Sequence, residues 1–203
     1  MNHNSNSVSG RMRHVCELQR LRFKTEHLDE GVRLWRELSE ILRHKKSCQF
    51  QRLYRGQDEQ VWLACSEWES LADLGGARRE LARSPLYRRL HAMLELSSER
   101  AYQPFGPVQS SRGAGTTQAL VVVALAQWTD EGEEKIRRLN DLTGHLNHVL
   151  MRAVGEPGQV CCLAQFASAE DADGAIVVLA QTPELQPLQP SFELFMSSTG
   201  PSA

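Results

Sequence analysis

No apolar run in this chain of 203 residues approaches the roughly 20 needed to span a bilayer. The opening stretch, MNHNSNSVSGRMR, also lacks the apolar core that export requires, so a cytoplasmic protein without membrane contact is expected. Cysteines are few: Cys16, Cys48, Cys65, Cys161 and Cys162. Their odd number and strand-like settings argue against a disulfide framework and for reduced, buried thiols. No CxxC or HxxxH spacing is present, and neighbours such as Cys161 and Cys162 point to opposite faces of a strand, so no metal site is expected. Missing too are a GxGxxG turn, a phosphate-binding P-loop, a Ser-His-Asp signature and an RNA-binding RNP1 pattern. Dinucleotide, nucleotide triphosphate and nucleic-acid chemistry are thereby set aside.

What is present is an ordinary globular composition, 41% hydrophobic and 24% charged, on a length that allows two small domains. The net charge of −2 conceals an asymmetry. Residues 1–102 carry 18 Lys and Arg against 14 Asp and Glu, and residues 103–203 carry 5 against 11, so the halves stand at +4 and −6. The basic half is the expected place for an anionic ligand, although its positive charge is too diluted by carboxylates for nucleic acid.

The chain also repeats itself. At an offset of 98, Trp68 meets Phe166, Ser70 meets Ser168 and Asp73 meets Asp171, and Ser84-Pro85 meets Thr182-Pro183. Asp29-Glu30-Gly31 returns as Asp130-Glu131-Gly132. Shared order at a near-constant offset reads as one unit written twice.

Alternation over 14–24 predicts a first strand with Val15, Glu17, Gln19, Leu21 and Phe23 on one face and Cys16, Leu18, Arg20 and Arg22 on the other. Asp29 reads as the cap of a helix carrying Val32, Trp35, Leu38, Ile41 and Leu42. Residues 48–55 and 60–68 read as a hairpin, Ser70 caps a second helix with Leu71, Leu74 and Leu81, and residues 91–96 form a fourth strand. Gly75-Gly76 weakens that second helix and Pro85 should restart it. The second unit opens with ALVVVALAQW, apolar on both faces. A helix from Asp130 through Ile136, Leu139, Leu142 and Leu146 follows, then strands near 149–154 and 159–166, a helix over 169–180 and a last strand over 191–196. The fold class is therefore α+β: two ferredoxin-like βαββαβ units, 14–102 and 118–197, with a tail over 1–13 and a linker over 103–117. Each sheet has one face without helices, and packing the two bare faces together makes an internal pseudo-dimer, with further homodimerisation open.

Trp68-Glu69-Ser70, a helix, then Ser84-Pro85 before a strand resembles the antibiotic-biosynthesis-monooxygenase-like group of the dimeric α+β barrel superfamily. The resemblance spans most of residues 14–100, and the second unit shares it weakly, with Phe166 where Trp is usual. It implies a pocket between helices and sheet, a small aromatic or heme-like ligand, and either cofactor-independent oxygenation or heme degradation. No cofactor is then required, with heme entering as ligand or substrate. By position, His91 falls where heme-degrading members hold an iron ligand, Gln19 where they carry an Asn, and Leu81 where they carry a Trp. The anthrone-type oxygenases imply Trp68 and Gln19 together with Tyr54 and Arg52 or Arg22; Trp62 and Tyr87 join as pocket walls. The rival reading is a catalytically inert small-molecule-binding or stress-related barrel that has kept the fold and lost the reaction. Plainer assignments stand beside these: Trp35 and Trp68 as core, Arg78, Arg79, Arg83, Arg88 and Arg89 as a solvated face, His91 as a solvated edge residue. His145 and His148, three apart on the expected helix, share a face without a third ligand.

Overall fold

The computed structural model describes residues 14–105, 109–110, 117–126, 128 and 136–197. The strands are β1 (Val15–Phe23), β2 (Cys48–Gly56), β3 (Val61–Trp68), β4 (Leu94–Pro104), β5 (Gln109–Ser110), β6 (Ala119–Leu125), β7 (His145–Ala153), β8 (Glu156–Phe166) and β9 (Pro190–Ser197). The helices are α1 (Leu28–Arg43), α2 (Leu71–Arg83), α3 (Pro85–Ala92) and α4 (Ala169–Ala180), with short 3-10 turns at Arg137–Asp141 and Pro183–Leu188. Eight strands form one antiparallel barrel in the order β4-β1-β3-β2-β9-β6-β8-β7, closed by a β7–β4 ladder.

The barrel follows from two-faced strands. Leu18, Leu63, Cys65, Tyr54 and Tyr102 of the first four strands meet Leu120, Met151, Cys161, Leu163 and Phe195 of the last four inside it. The opposite faces take the helices: Leu21, Phe23, Leu53 and Trp62 lie under Val32, Leu34 and Leu38 of α1. Val121, Val123, Ala164 and Phe166 lie under Ala172, Ala175 and Leu179 of α4. The double-sided apolar run over β6 is thus explained, since one face lines the barrel and the other a helix. Short seams close the ring: Tyr54–Gly56 against Phe195–Ser197, and Tyr102–Pro104 against Met151–Ala153. Arg20 and Glu193, 3.0 Å apart, tie β1 to β9.

Two local features recur. Ser70 Oγ accepts the Asp73 N–H and Ser168 Oγ accepts the Asp171 N–H, each at 3.1 Å, so α2 and α4 begin on the same cap. β2 carries a bulge between Cys48 and Phe50 opposite the Trp68 end of β3, and β7 one between His145 and Asn147 opposite the Phe166 end of β8.

Several expectations are corrected. Asp29 lies in the first turn of α1, whose cap position is His27 with no side-chain bond. Ile41 and Leu71 are exposed, while Leu34 is buried in their stead. Gly75-Gly76 does not interrupt α2. The fourth strand begins at Leu94 and runs to Pro104, because Ser84 caps a separate helix from Pro85 that keeps His91 helical. His145, Leu146 and His148 belong to β7, and the helix expected over 130–135 lies outside the described residues.

Gly144 adopts φ +68°, and a Cβ there would run into the Asp171 carboxylate at the α4 cap, whereas Gly155 (φ +83°) has open space around it. Gly144→Ala should therefore cost more than the roughly 1 kcal/mol of left-handed strain expected for Gly155→Ala, by about 1–2 kcal/mol. Equal urea midpoints for the two variants would contradict this.

Candidate functional site

Between α1, α2, α3 and the outer face of β1–β3 lies a cavity of about 50 Å³. Its wall is more polar than a core needs: Glu17 and Gln19 from β1, Ser39 from α1, Gln51 from β2, Ser66 from β3, Arg78 from α2, Tyr87 from α3 and Glu99 from β4. Trp35, Leu38, Leu74, Ala77, Leu81 and Trp68 supply apolar surface. Glu17 is the hub. Its Oε2 accepts Ser66 Oγ at 2.9 Å, and its Oε1 accepts Arg78 Nε at 2.8 Å and lies 2.7 Å from Arg78 Nη2. Arg78 Nη1 reaches Glu99 at 3.2 Å, and the Trp68 indole N–H donates to Ser66 Oγ at 2.8 Å. Ser39 Oγ and Gln51 Oε1 are buried with no hydrogen-bond partner among the described residues. A buried acceptor left without a partner costs roughly 1–3 kcal/mol, so such atoms mark a place meant for water or ligand.

The strand registers of the two halves can be set side by side. Val15 pairs with Trp68, Glu17 with Ser66 and Gln19 with Ala64; in the same register Ala119 pairs with Phe166, Val121 with Ala164 and Val123 with Cys162. Counted from the Val15–Trp68 and Ala119–Phe166 pairs, the steps held by Glu17, Gln19 and Ser66 are held in the other half by Val121, Val123 and Ala164, all fully buried in apolar core. Gln51 opposes Ser66 as His148 opposes Ala164. The bulge turns His145 and His148 to one side, with His148 Nδ1 3.2 Å from His145 Nε2 and both rings buried.

Of the residues singled out from sequence, Gln19, Trp68 and Tyr87 line the cavity. The others lie elsewhere. Arg52 and Tyr54 sit on the barrel side of β2, where burial pushes the Tyr54 phenol up to about 12 and Arg52 stacks over Phe50 at 5.1 Å. Arg22 is engaged by Asp58 (2.9 Å), Glu95 (3.1 Å) and Gln60 (3.1 Å). The Trp62 indole donates to the Glu59 carbonyl at 2.9 Å, and its ring packs under α1. His91 does not line the cavity; its ring lies 4.3 Å from that of Tyr87, and its Nε2 is buried without a partner among the described residues. Arg78, grouped from sequence with a solvated face, turns inward instead. Glu17, Ser39, Gln51, Ser66 and Glu99 were missed, though two polar residues on the otherwise apolar face of β1 were a usable signal.

An eight-stranded antiparallel barrel of one chain, with helices packed outside, is the fold of the dimeric α+β barrel proteins. Among solved structures, the chain is similar to an anthrone oxidase-like protein (13% identity, TM-score 0.67, 92% of each chain covered). It is also similar to a provisionally named monooxygenase from Lactobacillus acidophilus (8%, 0.61, 92% of this chain and 95% of the other). A third is a mutant chlorite dismutase from Candidatus Nitrospira defluvii in complex with cyanide (11%, 0.65, 92% and 91%). At these identities the likeness is one of fold. No family model matches the chain, and no curated relative matches it.

Burial lowers His145 from its ordinary 6.5 and, with the adjoining His145 ring adding to it, takes His148 to about 4. The native state then binds fewer protons than the unfolded chain, so this stability is intact above pH 6.5 and is lost as pH falls towards 4. His148→Gln should flatten the fall in urea-unfolding free energy between pH 7 and 4.5. An unchanged slope would rule the pair out as its source.

Proposed function

We propose that this protein binds a small flat aromatic molecule in the cavity between helices and sheet of its first half, as a monooxygenase-like protein. The observation that carries this reading is the contrast between halves. Glu17, Gln19 and Ser66 occupy positions that the same fold fills with Val121, Val123 and Ala164, so the barrel does not need polar groups there. Buried polar side chains that stability does not require point to a ligand.

We also read the chain as one ferredoxin-like unit in two copies. The strand orders β4-β1-β3-β2 and β9-β6-β8-β7, the matched bulges and the matched serine caps all support it. The second copy then serves as the structural mate, and ligand binding belongs to the first.

Cofactor-independent oxygenation suits the groups present. An anthrone-type substrate loses a proton from the methylene across the central ring from its carbonyl, and molecular oxygen takes that methylene to a carbonyl with one water released. Glu17 would accept the proton, and the side-chain NH2 groups of Gln19 and Gln51 would donate to the oxygen on which negative charge grows. Heme fits the cavity poorly. About 50 Å³ holds only a few waters, so even an anthrone enters only as α2, which buries just Leu74 and Ala77, moves outward, and the larger heme needs far more room. No histidine lines the wall, and no cluster of three metal-ligating groups occurs among the described residues. The second reading is a binding protein without turnover.

The test is anthrone under air with the purified protein. One oxygen consumed per anthrone, and a rate at least about 100-fold lower in Glu17→Gln, are expected for the enzyme; binding without oxygen uptake selects the inert reading. Glu17→Val combined with Gln19→Val and Arg78→Met makes the wall apolar, as in the second half, without stranding the guanidinium. This triple variant should keep its thermal midpoint within a few degrees while ligand binding disappears. Unchanged binding would remove the cavity from consideration.

A further inference from the structure

The basic first half invites an anionic ligand, yet the cavity inside it has the opposite character. Its wall holds three charged groups among the described residues: Glu17 on β1, Glu99 on β4 and Arg78 on α2, a net of −1. No other arginine of the basic half lines the cavity, and several are paired elsewhere. Arg22 is taken by Asp58 and Glu95, Arg33 by Glu37, Arg43 by Glu40 and Arg89 by Glu30, all on other surfaces.

Resting on the cavity reading above, we propose that the site selects a neutral or cationic aromatic that donates a hydrogen bond to Glu17, and rejects carboxylates and other anions. Glu17 already receives Ser66 and the Nε–Nη2 side of Arg78, which leaves room on the carboxylate for about one more donor. Arg78 is not free to clamp an anion, because Glu17 and Glu99 hold opposite sides of its guanidinium. Tyr87, a phenol already in the wall, senses the same field. Burial raises it first, Glu99 and Glu17 raise it further, and Arg78 offsets them in part. An entering carboxylate meets that repulsion and loses its hydration as well. A neutral ligand does not. Where oxygenation follows, the negative charge arises only inside the cavity, as the proton passes to Glu17, so the net charge of the site and substrate together stays the same.

Three probes with one ring system separate charge from shape: anthracene-9-methanol, 9-(aminomethyl)anthracene as its ammonium form, and anthracene-9-carboxylate. Energy transfer from Trp35 and Trp68, which both line the cavity, reads binding at pH 7 and low salt. The alcohol and the ammonium should bind at least tenfold more tightly than the carboxylate, since one unit charge at these separations is worth an order of magnitude or more. Glu17→Gln should narrow the ammonium-to-carboxylate ratio at least tenfold. The carboxylate binding as tightly as the others, or more tightly, overturns this inference and leaves the cavity reading standing. Failure of all three to bind overturns the cavity reading itself. The wild-type order decides without the variant, so a misfolded Glu17→Gln does not spoil the result.

Discussion

Most strands of this barrel have an apolar inner stretch that the other half of the chain covers. Helices shield much of the outer surface, although β4 stays largely exposed. Leu18, Leu63 and Cys65 need Leu120, Cys161 and Leu163, and the reverse holds equally. Burying such a face is worth on the order of 25 cal/mol for each Å² removed from water, which makes closure the dominant favourable term. The ladders at the two seams are short, three residue pairs each. They satisfy edges that would otherwise invite another chain, but the interior is what holds the ring shut.

Because the barrel interior carries stability, the outer cavity of the first half is released from that duty. Glu17 there is nearly buried, its side chain 14% exposed. Placing a carboxylate at such a site is costly unless it is paired and hydrogen-bonded, and even a good pair is often no better than apolar residues of the same size. The second half shows the apolar alternative at the same register: Val121, Val123 and Ala164 with Phe166. Retaining Glu17, Ser66 and Arg78 in the first half is therefore a departure from the stable solution that this chain itself contains. Such departures gather where a ligand is handled.

The two-sided character of β6, the serine caps and α4 over 169–180 were all legible from residue pattern, because each rests on local periodicity or a single side chain. So was the sharing of one β1 face by Glu17 and Gln19. Parity also carried a warning about the rest. Gln19 and Arg22 are an odd number of residues apart on one strand, so they cannot enter the same pocket. For β2 no such rule sufficed, since the bulge at Cys48–Phe50 sets which of Gln51 and Arg52 faces the helices. His91 was misplaced for a related reason: Ser84 ends α2 and at once caps α3, so the chain stays helical through Ala92 and the strand starts three residues later than the alternating pattern suggests. Arg78 could not be told from its exposed neighbours on α2 without knowing that Glu17 lay beneath it.

The small size of the cavity adds a final constraint, because the walls are not equally anchored. α1 buries Val32, Leu34, Leu38 and Leu42, and the sheet below it is fixed by the barrel. α2 buries only Leu74 and Ala77 and carries Gly75-Gly76 in its middle, each glycine costing about 1 kcal/mol relative to alanine. What tethers α2 is polar: the Ser70 cap at its start and the Arg78 pairs with Glu17 and Glu99 towards its end. A group that bonds to Glu17 competes with one of those tethers directly. The charge that selects the ligand and the contact that holds the weakest wall are thus the same carboxylate, so occupancy of the cavity and the seating of α2 are physically linked through Glu17.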